Sequence, residues 1–394
     1  MDNESLEYAS FKYLEHWKKE DNLEKLKSSV SDDGLFYSYL YKKVEELYSH
    51  LPLRKNRQET LTHPLNTVLA LKNAKIYDEI ILCVGLIHDF IEDNVDLYKI
   101  THEIEEDDEG IKYLDEYEIN VLDKLEKELR EFYKSNHIEN EDKECEERVK
   151  LIIKTLKLLT RHKRDFYYRS ISNIFQCEDE KAKEIAIQVK LADRMHNIQC
   201  IECFSEEKRI FQCFKNLFIL NNTKNYLLEE ANKNKESEEL SPTQLLFKRC
   251  AKSTYDAFLT ICNTCFAKGM GNTQSMIQLA FKKFAMEKSG VWEVTKVDKN
   301  ETHLIKLFQG VIRKYDARLH HEWEKFNRMR EVESNYCRNF FGDFRFTEEQ
   351  IRAIIDYKDA YAMKEIIANL LYFPDYVLSK FLSSELNLNA RIDN

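Results

Sequence analysis

An apolar run, Ile80-Ile81-Leu82-Cys83-Val84-Gly85-Leu86-Ile87, ends on His88-Asp89, and Glu92-Asp93 follows one turn later. The run reads as a buried helix. A buried helix keeps a His-Asp pair only where the charges are paired or hold a metal. Desolvating an isolated charge costs several kcal/mol, comparable to the stability margin of a domain. Neighbouring helical side chains diverge by about 100°, so His88 and Asp89 reach one ion only if it sits over the edge between them. His88 shares a face with Glu92, and Asp89 with Asp93. One helix end therefore offers two ligands and, a turn on, two carboxylates able to handle a water.

Two other positions complete a shell. His63 lies upstream in Leu61-Thr62-His63-Pro64, just before a helical pattern. Asp193 lies downstream in Val189-Lys190-Leu191-Ala192-Asp193-Arg194-Met195-His196-Asn197. Two imidazoles (His63, His88) and two carboxylates (Asp89, Asp193) suit Mn²⁺, Fe²⁺ or Zn²⁺ better than Ca²⁺. We expect Mn²⁺ or another divalent transition metal, with Glu92 and Asp93 as the catalytic carboxylates.

The order His…His-Asp…Asp is the signature of HD-domain metal-dependent phosphohydrolases, and the chain resembles that family. The flanking words are narrower. His63-Pro64, then GLIHDFIEDN, then VKLADRMHN resemble the HP, LLHDVIEDT and KLADRLHN words of the RelA/SpoT-type hydrolase domain. The resemblance covers about residues 35–230. It implies a helical bundle that removes the 3′-pyrophosphate of guanosine tetra- and pentaphosphate. It also implies that Arg54 and Lys55, nine and eight residues ahead of the first metal His, meet the base and phosphates, and that Asn197 touches the sugar. Cys200 stands where the family tends to have Thr. The family's Ser-Gly-Glu-Pro-Tyr after the Lys is replaced by Asn56-Arg57-Gln58-Glu59-Thr60. That departure keeps open another HD nucleotidase or a cyclic-nucleotide phosphodiesterase. A non-catalytic nucleotide sensor is a further alternative.

Lys190 precedes Asp193 by three residues and reaches the site edge. Arg161, Lys163 and Arg164 belong to the clearest basic cluster, Leu158–Arg169, whose charge suits a polyanionic substrate at the mouth of the site. Arg194 is expected to pair with a buried carboxylate, and His196 to be a packing or surface residue.

Only four Pro and eight Gly occur in 394 residues, and 33% of them are charged. Long Leu/Ile/Lys/Glu periods then argue for an all-α chain. We expect an HD helical bundle over 1–230, with a helical insertion or lid over about 101–150. A polar linker over 231–239 leads to a second helical domain over 241–394. The insertion is expected because Asp89 and Asp193 are 104 residues apart. Helices are expected over 5–30, from Phe36 to Leu51, from Pro64 to Lys75, unbroken from Tyr77 through Asp93, and from Lys181 to Asn197. In the second half they are expected over 241–268, 273–289, 301–313, 315–340, 348–370 and 375–386, with a short strand over 291–297.

The second half carries no readable chemistry, so a regulatory, homo-oligomerisation or protein-partner role is the expectation for it. A net charge of −10 gives no global field for nucleic acid. Ten scattered Cys and no N-terminal apolar run lead us to expect a reduced, cytoplasmic protein. No stretch has the roughly 20 apolar residues a membrane span needs. The Cys200/Cys203 and Cys262/Cys265 pairs sit in helical apolar periods and read as core residues rather than a zinc site.

Overall fold

The computed structural model describes residues 17–32, 34–136, 142–161, 166–233, 239–288 and 301–378. Among them the fold is all α, with no strand. No helix of the described residues is long and apolar enough to cross a membrane. By contact they divide into two compact units. One lies within Leu14–Cys203 and Asn222–Cys250, the other within Phe204–Asn221 and Ala251–Asn394. The chain thus passes between units more than once.

The first unit is built from α1 (Leu23–Val30), α2 (Leu35–Ser49), α3 (Thr62–Asn73), α4 (Glu79–Ile87), α5 (Phe90–Thr101), α6 (Asp108–Asn136), α7 (Asp142–Leu159), α8 (Tyr167–Phe175) and α9 (Glu180–Gln199). Two of these are buried on nearly every side. In α3 the residues from Thr62 to Val68 are all covered, and in α9 those from Ile185 to Val189 and from Leu191 to His196. A helix enclosed in this way lies at the centre of its unit. α9 packs on α3, α4, α7 and α8, and α4 packs on α2, α3 and α7. A methyl group at Gly85 would fall 2.5 Å from Leu71 Cδ1. Glycine there lets the last turn of α4 settle against α3 and brings residue 88 toward residue 63.

Two expectations are corrected in this unit. The helix expected through Asp93 stops at Ile87 and restarts at Phe90. His88 and Asp89 form the corner, with Asp89 at φ −102°, ψ −1°, in the bridge region. Neither residue signals a break by type. Second, residues 17–22 are not helical. Their backbone groups are taken by side-chain amides. Gln199 accepts from Lys19 N and donates to the Trp17 carbonyl, both at 2.8 Å, and Asn66 does the same for Glu20 at 2.8 and 2.9 Å. These bonds substitute for the helical ladder, and only α1 remains of the expected 5–30 helix; residues 5–16 lie outside the described set. The helical segment expected over about 101–150 is the pair α6 and α7, packed within the unit. Tyr39 stacks on Phe132 at 4.1 Å and Phe36 on Tyr133 at 5.4 Å, which ties α6 to α2. Arg130 clamps Glu146 of α7 through two bonds of 2.9 and 3.0 Å.

α10 (Glu206–Lys233) and α11 (Pro242–Ala267) each contribute to both units. Ser241 and Gln244 close a reciprocal cap at the start of α11. The second unit continues with α12 (Thr273–Lys288), a 3-10 turn at Leu304–Phe308, α13 (Val311–Leu319), α14 (Trp323–Phe340) and α15 (Glu348–Tyr372). The expected helix over 301–313 is this 3-10 turn followed by Gly310, whose φ of +94° is open to glycine. The expected 315–340 helix is broken at 320–322, where His321 has φ +60°. Residues 374–378 are not helical, and the rest of the 375–386 helix and the 291–297 strand lie outside the described set. Thr347 and Gln350 form the capping box that starts α15.

Candidate metal centre

The three innermost ligand candidates come from three core helices. His63 sits in the first turn of α3, His88 caps the C-terminus of α4, and Asp193 projects from α9. All three are buried, and their ligand atoms lie within 4.8 Å of one another. His63 Nε2 is 3.2 Å from His88 Nε2 and 3.3 Å from Asp193 Oδ1. Asp89 Oδ2 closes the group, 3.3 Å from His63 Nε2 and 3.2 Å from His88 Nε2. Donor atoms about 2.0–2.2 Å from one shared ion stand about 3–3.6 Å apart in tetrahedral or octahedral geometry. Most of these spacings fall in that range, with His88 Nε2 to Asp193 Oδ1 wider at 4.0 Å. The residues therefore fit a divalent ion.

The electrostatics point the same way. Two carboxylates face this point, and one ammonium, Lys190 Nζ at 2.9 Å from Asp193 Oδ2, answers them. Burial opposes a charge on His88, yet Asp89 and Asp193 push its imidazole up to about 9. Burial would raise both carboxyls. Instead Asp89 is held well below the usual carboxylate range by His88 and His63, and Asp193 is held low by Lys190 and His63. The ionised carboxylates thus favour positive charge at the centre, which a proton on His88 or a cation would supply.

Three of the four candidate ligands are held from behind. His88 Nδ1 donates to the Gly85 carbonyl at 2.8 Å, which leaves a lone pair on Nε2. His63 Nδ1 is 2.7 Å from His196 Nδ1. Asn197 donates to Asp193 Oδ1, and Arg54 reaches Asn197 Oδ1 at 3.5 Å. Arg54, Asn197 and Lys190 are thus brought to one rim.

Glu92 and Asp93 occupy the first turn of α5, both half-buried. Burial, then Asp89, raises both, Asp93 to about 7. Glu92 Oε1 accepts from the Arg161 backbone N–H at 2.8 Å, and Asp93 accepts from the Tyr48 hydroxyl. Arg161 joins the site through its backbone; its side chain is exposed, as is Lys55. Lys163 and Arg164 lie outside the described residues.

Two participants were not picked out from the sequence. Tyr48 belongs to the aromatic face of α2 and has no motif. His196 is fully buried, the packing position among the two expected of it, and its ring nitrogen meets that of His63. Its spacing of three from Asp193, which puts both on one helix face, is the signal that points to it. Cys262 and Cys265 are buried thiols, Cys262 pushed up to about 12 by burial, so neither is poised as a thiolate ligand. No family model, curated protein or solved structure matches the chain.

Proposed function

We propose that this protein is a metal-dependent nucleotide phosphohydrolase of the HD type, with His63, His88, Asp89 and Asp193 holding Mn²⁺ or a similar divalent ion. The observation that carries the reading is the convergence of the two imidazole Nε2 atoms and the Asp193 carboxylate, from three separate stretches of chain, on one buried point, with Asp89 beside both imidazoles. When bound, the ion supplies Lewis acidity toward a phosphoryl oxygen and a positive field that keeps nearby carboxylates ionised. Glu92, anchored through one oxygen by the Arg161 backbone, keeps the other to orient and deprotonate a water. Asp93, fixed by Tyr48, holds the second flank of that water. Lys190, Arg54 and Asn197 line the rim and meet the charge and sugar of the substrate.

The substrate we propose is a guanosine 3′-diphosphate alarmone, with pyrophosphate released. The test is turnover of a nucleotide panel by the full chain with Mn²⁺, scored for pyrophosphate against orthophosphate. Pyrophosphate from the alarmone is expected. Orthophosphate from another nucleotide would replace the substrate assignment, and stoichiometric nucleotide binding with no turnover anywhere on the panel would overturn the enzymatic one.

A further inference from the structure

The two imidazoles of the metal centre are backed differently. His88 Nδ1 faces the Gly85 carbonyl, a group that only accepts, so its proton has one place to be. His63 Nδ1 faces another imidazole nitrogen, His196 Nδ1, at 2.7 Å, with ring centroids 4.9 Å apart in a fully buried setting. An imidazole nitrogen donates or accepts, so this pair has two arrangements with the same number of protons.

In the first arrangement His63 Nδ1–H donates to His196 Nδ1. The Nε2–H of His196 then points to Cys200 Sγ, 4.0 Å away, and His63 Nε2 carries a lone pair. In the second, His196 Nδ1–H donates to His63. The Nε2–H of His63 is then aimed at Asp89 and Asp193, 3.3 Å from each. Only the first arrangement makes residue 63 a ligand.

We propose that His196 is a positioning residue that selects the ligating tautomer of His63 by accepting a hydrogen bond from its Nδ1–H, with the Cys200 sulfur accepting one from the outer N–H of His196. The inference rests on the metal-centre reading above. Occupation of the centre and the tautomer of His196 are then one linked event. The usual partner of a ligating His is a carboxylate or carbonyl, either of which would hold one tautomer whether or not an ion is bound.

The test measures Mn²⁺ affinity of the full chain from the electron paramagnetic resonance signal of free Mn²⁺, a readout separate from turnover. His196→Phe keeps a ring and removes the acceptor, and should weaken affinity about 10–100-fold. His196→Asn sets an amide oxygen near the Nδ1 position and should restore affinity to within about threefold of wild type. A ¹⁵N-histidine spectrum of the wild-type chain loaded with Zn²⁺ requires no variant to fold. It should show His63 protonated on Nδ1 and His196 on Nε2. Wild-type affinity in His196→Phe, an Asn variant as weak as the Phe variant, or a Zn²⁺-loaded His196 protonated on Nδ1 would each overturn the inference. Wild-type affinity in His88→Ala would instead sink the metal-centre reading itself.

Discussion

Each unit of this protein buries a cluster of charged side chains, and the two clusters are closed in opposite ways. In the second unit Lys314 bonds Glu333 at 2.6 Å and also Asp359. Lys358 sits 2.7 Å from Asp359 and bonds Glu333, and the Tyr315 hydroxyl donates to Asp359 at 2.9 Å. Two lysines meet two carboxylates directly, although burial pulls Lys358 down to about 7 and pushes Asp356, beside Asp359, up to about 6. In the first unit Asp89 and Asp193 meet one ammonium, Lys190, and two imidazoles whose Nε2 atoms point at the same spot. The comparison teaches that burial of charge is not by itself a functional signal. The signal is a set of ligating atoms, imidazole nitrogens together with carboxylate oxygens, turned toward one point that an ion fits.

The largest expected effect that sharpens this contrast is chemical. Glu92→Gln should lower kcat about 10²–10⁴-fold while leaving Mn²⁺ affinity near wild type, because Glu92 is anchored by the Arg161 backbone beside the ligand set rather than within it. Steady-state kinetics with a parallel Mn²⁺ titration checks this, and an unchanged kcat would remove Glu92 from the chemistry.

Next in size, Lys358→Met breaks the closed cluster and leaves Glu333 and Asp359 with one ammonium. A loss of about 3–5 kcal/mol of stability is expected, read by denaturant unfolding, with Mn²⁺ affinity of the folded fraction unchanged. A variant as stable as wild type would show that the second cluster does not hold its unit together.

The smallest effect is a pH slope. His88 binds an ion only as the neutral imidazole, and in the metal-free fold its proton is held up to about 9. A proton therefore competes with the ion at every pH below about 9. Mn²⁺ affinity should rise about tenfold per pH unit between pH 6.5 and 8.5 and level off near 9. Calorimetric titration across that range checks the sign, and a flat profile would contradict it.

The parts of this architecture legible in the sequence are the local ones. Ser241 with Gln244 and Thr347 with Gln350 announce helix starts because a cap depends on residues within one turn. His63, His88, Asp89 and Asp193 stand out because each interrupts an apolar or helical pattern with a group that chemistry must account for. What sequence could not convey is decided by distant partners. Residues 17–22 have helical composition, but Gln199 and Asn66 take their backbone groups. The corner at His88-Asp89 uses dihedrals close enough to helical that no breaker residue marks it. His196 looked like filler until α3 and α9 were set side by side.

The central claim is that the first cluster holds a divalent ion and the second does not. Its most direct test is elemental analysis with Mn²⁺ titration of the wild-type chain, His88→Ala, Asp193→Ala and Lys358→Met, each checked for helical content by circular dichroism. The account predicts about one ion per chain in wild type and Lys358→Met, and none in the two ligand variants. A wild-type chain that takes up no ion, or ligand variants that bind as wild type does, would contradict it.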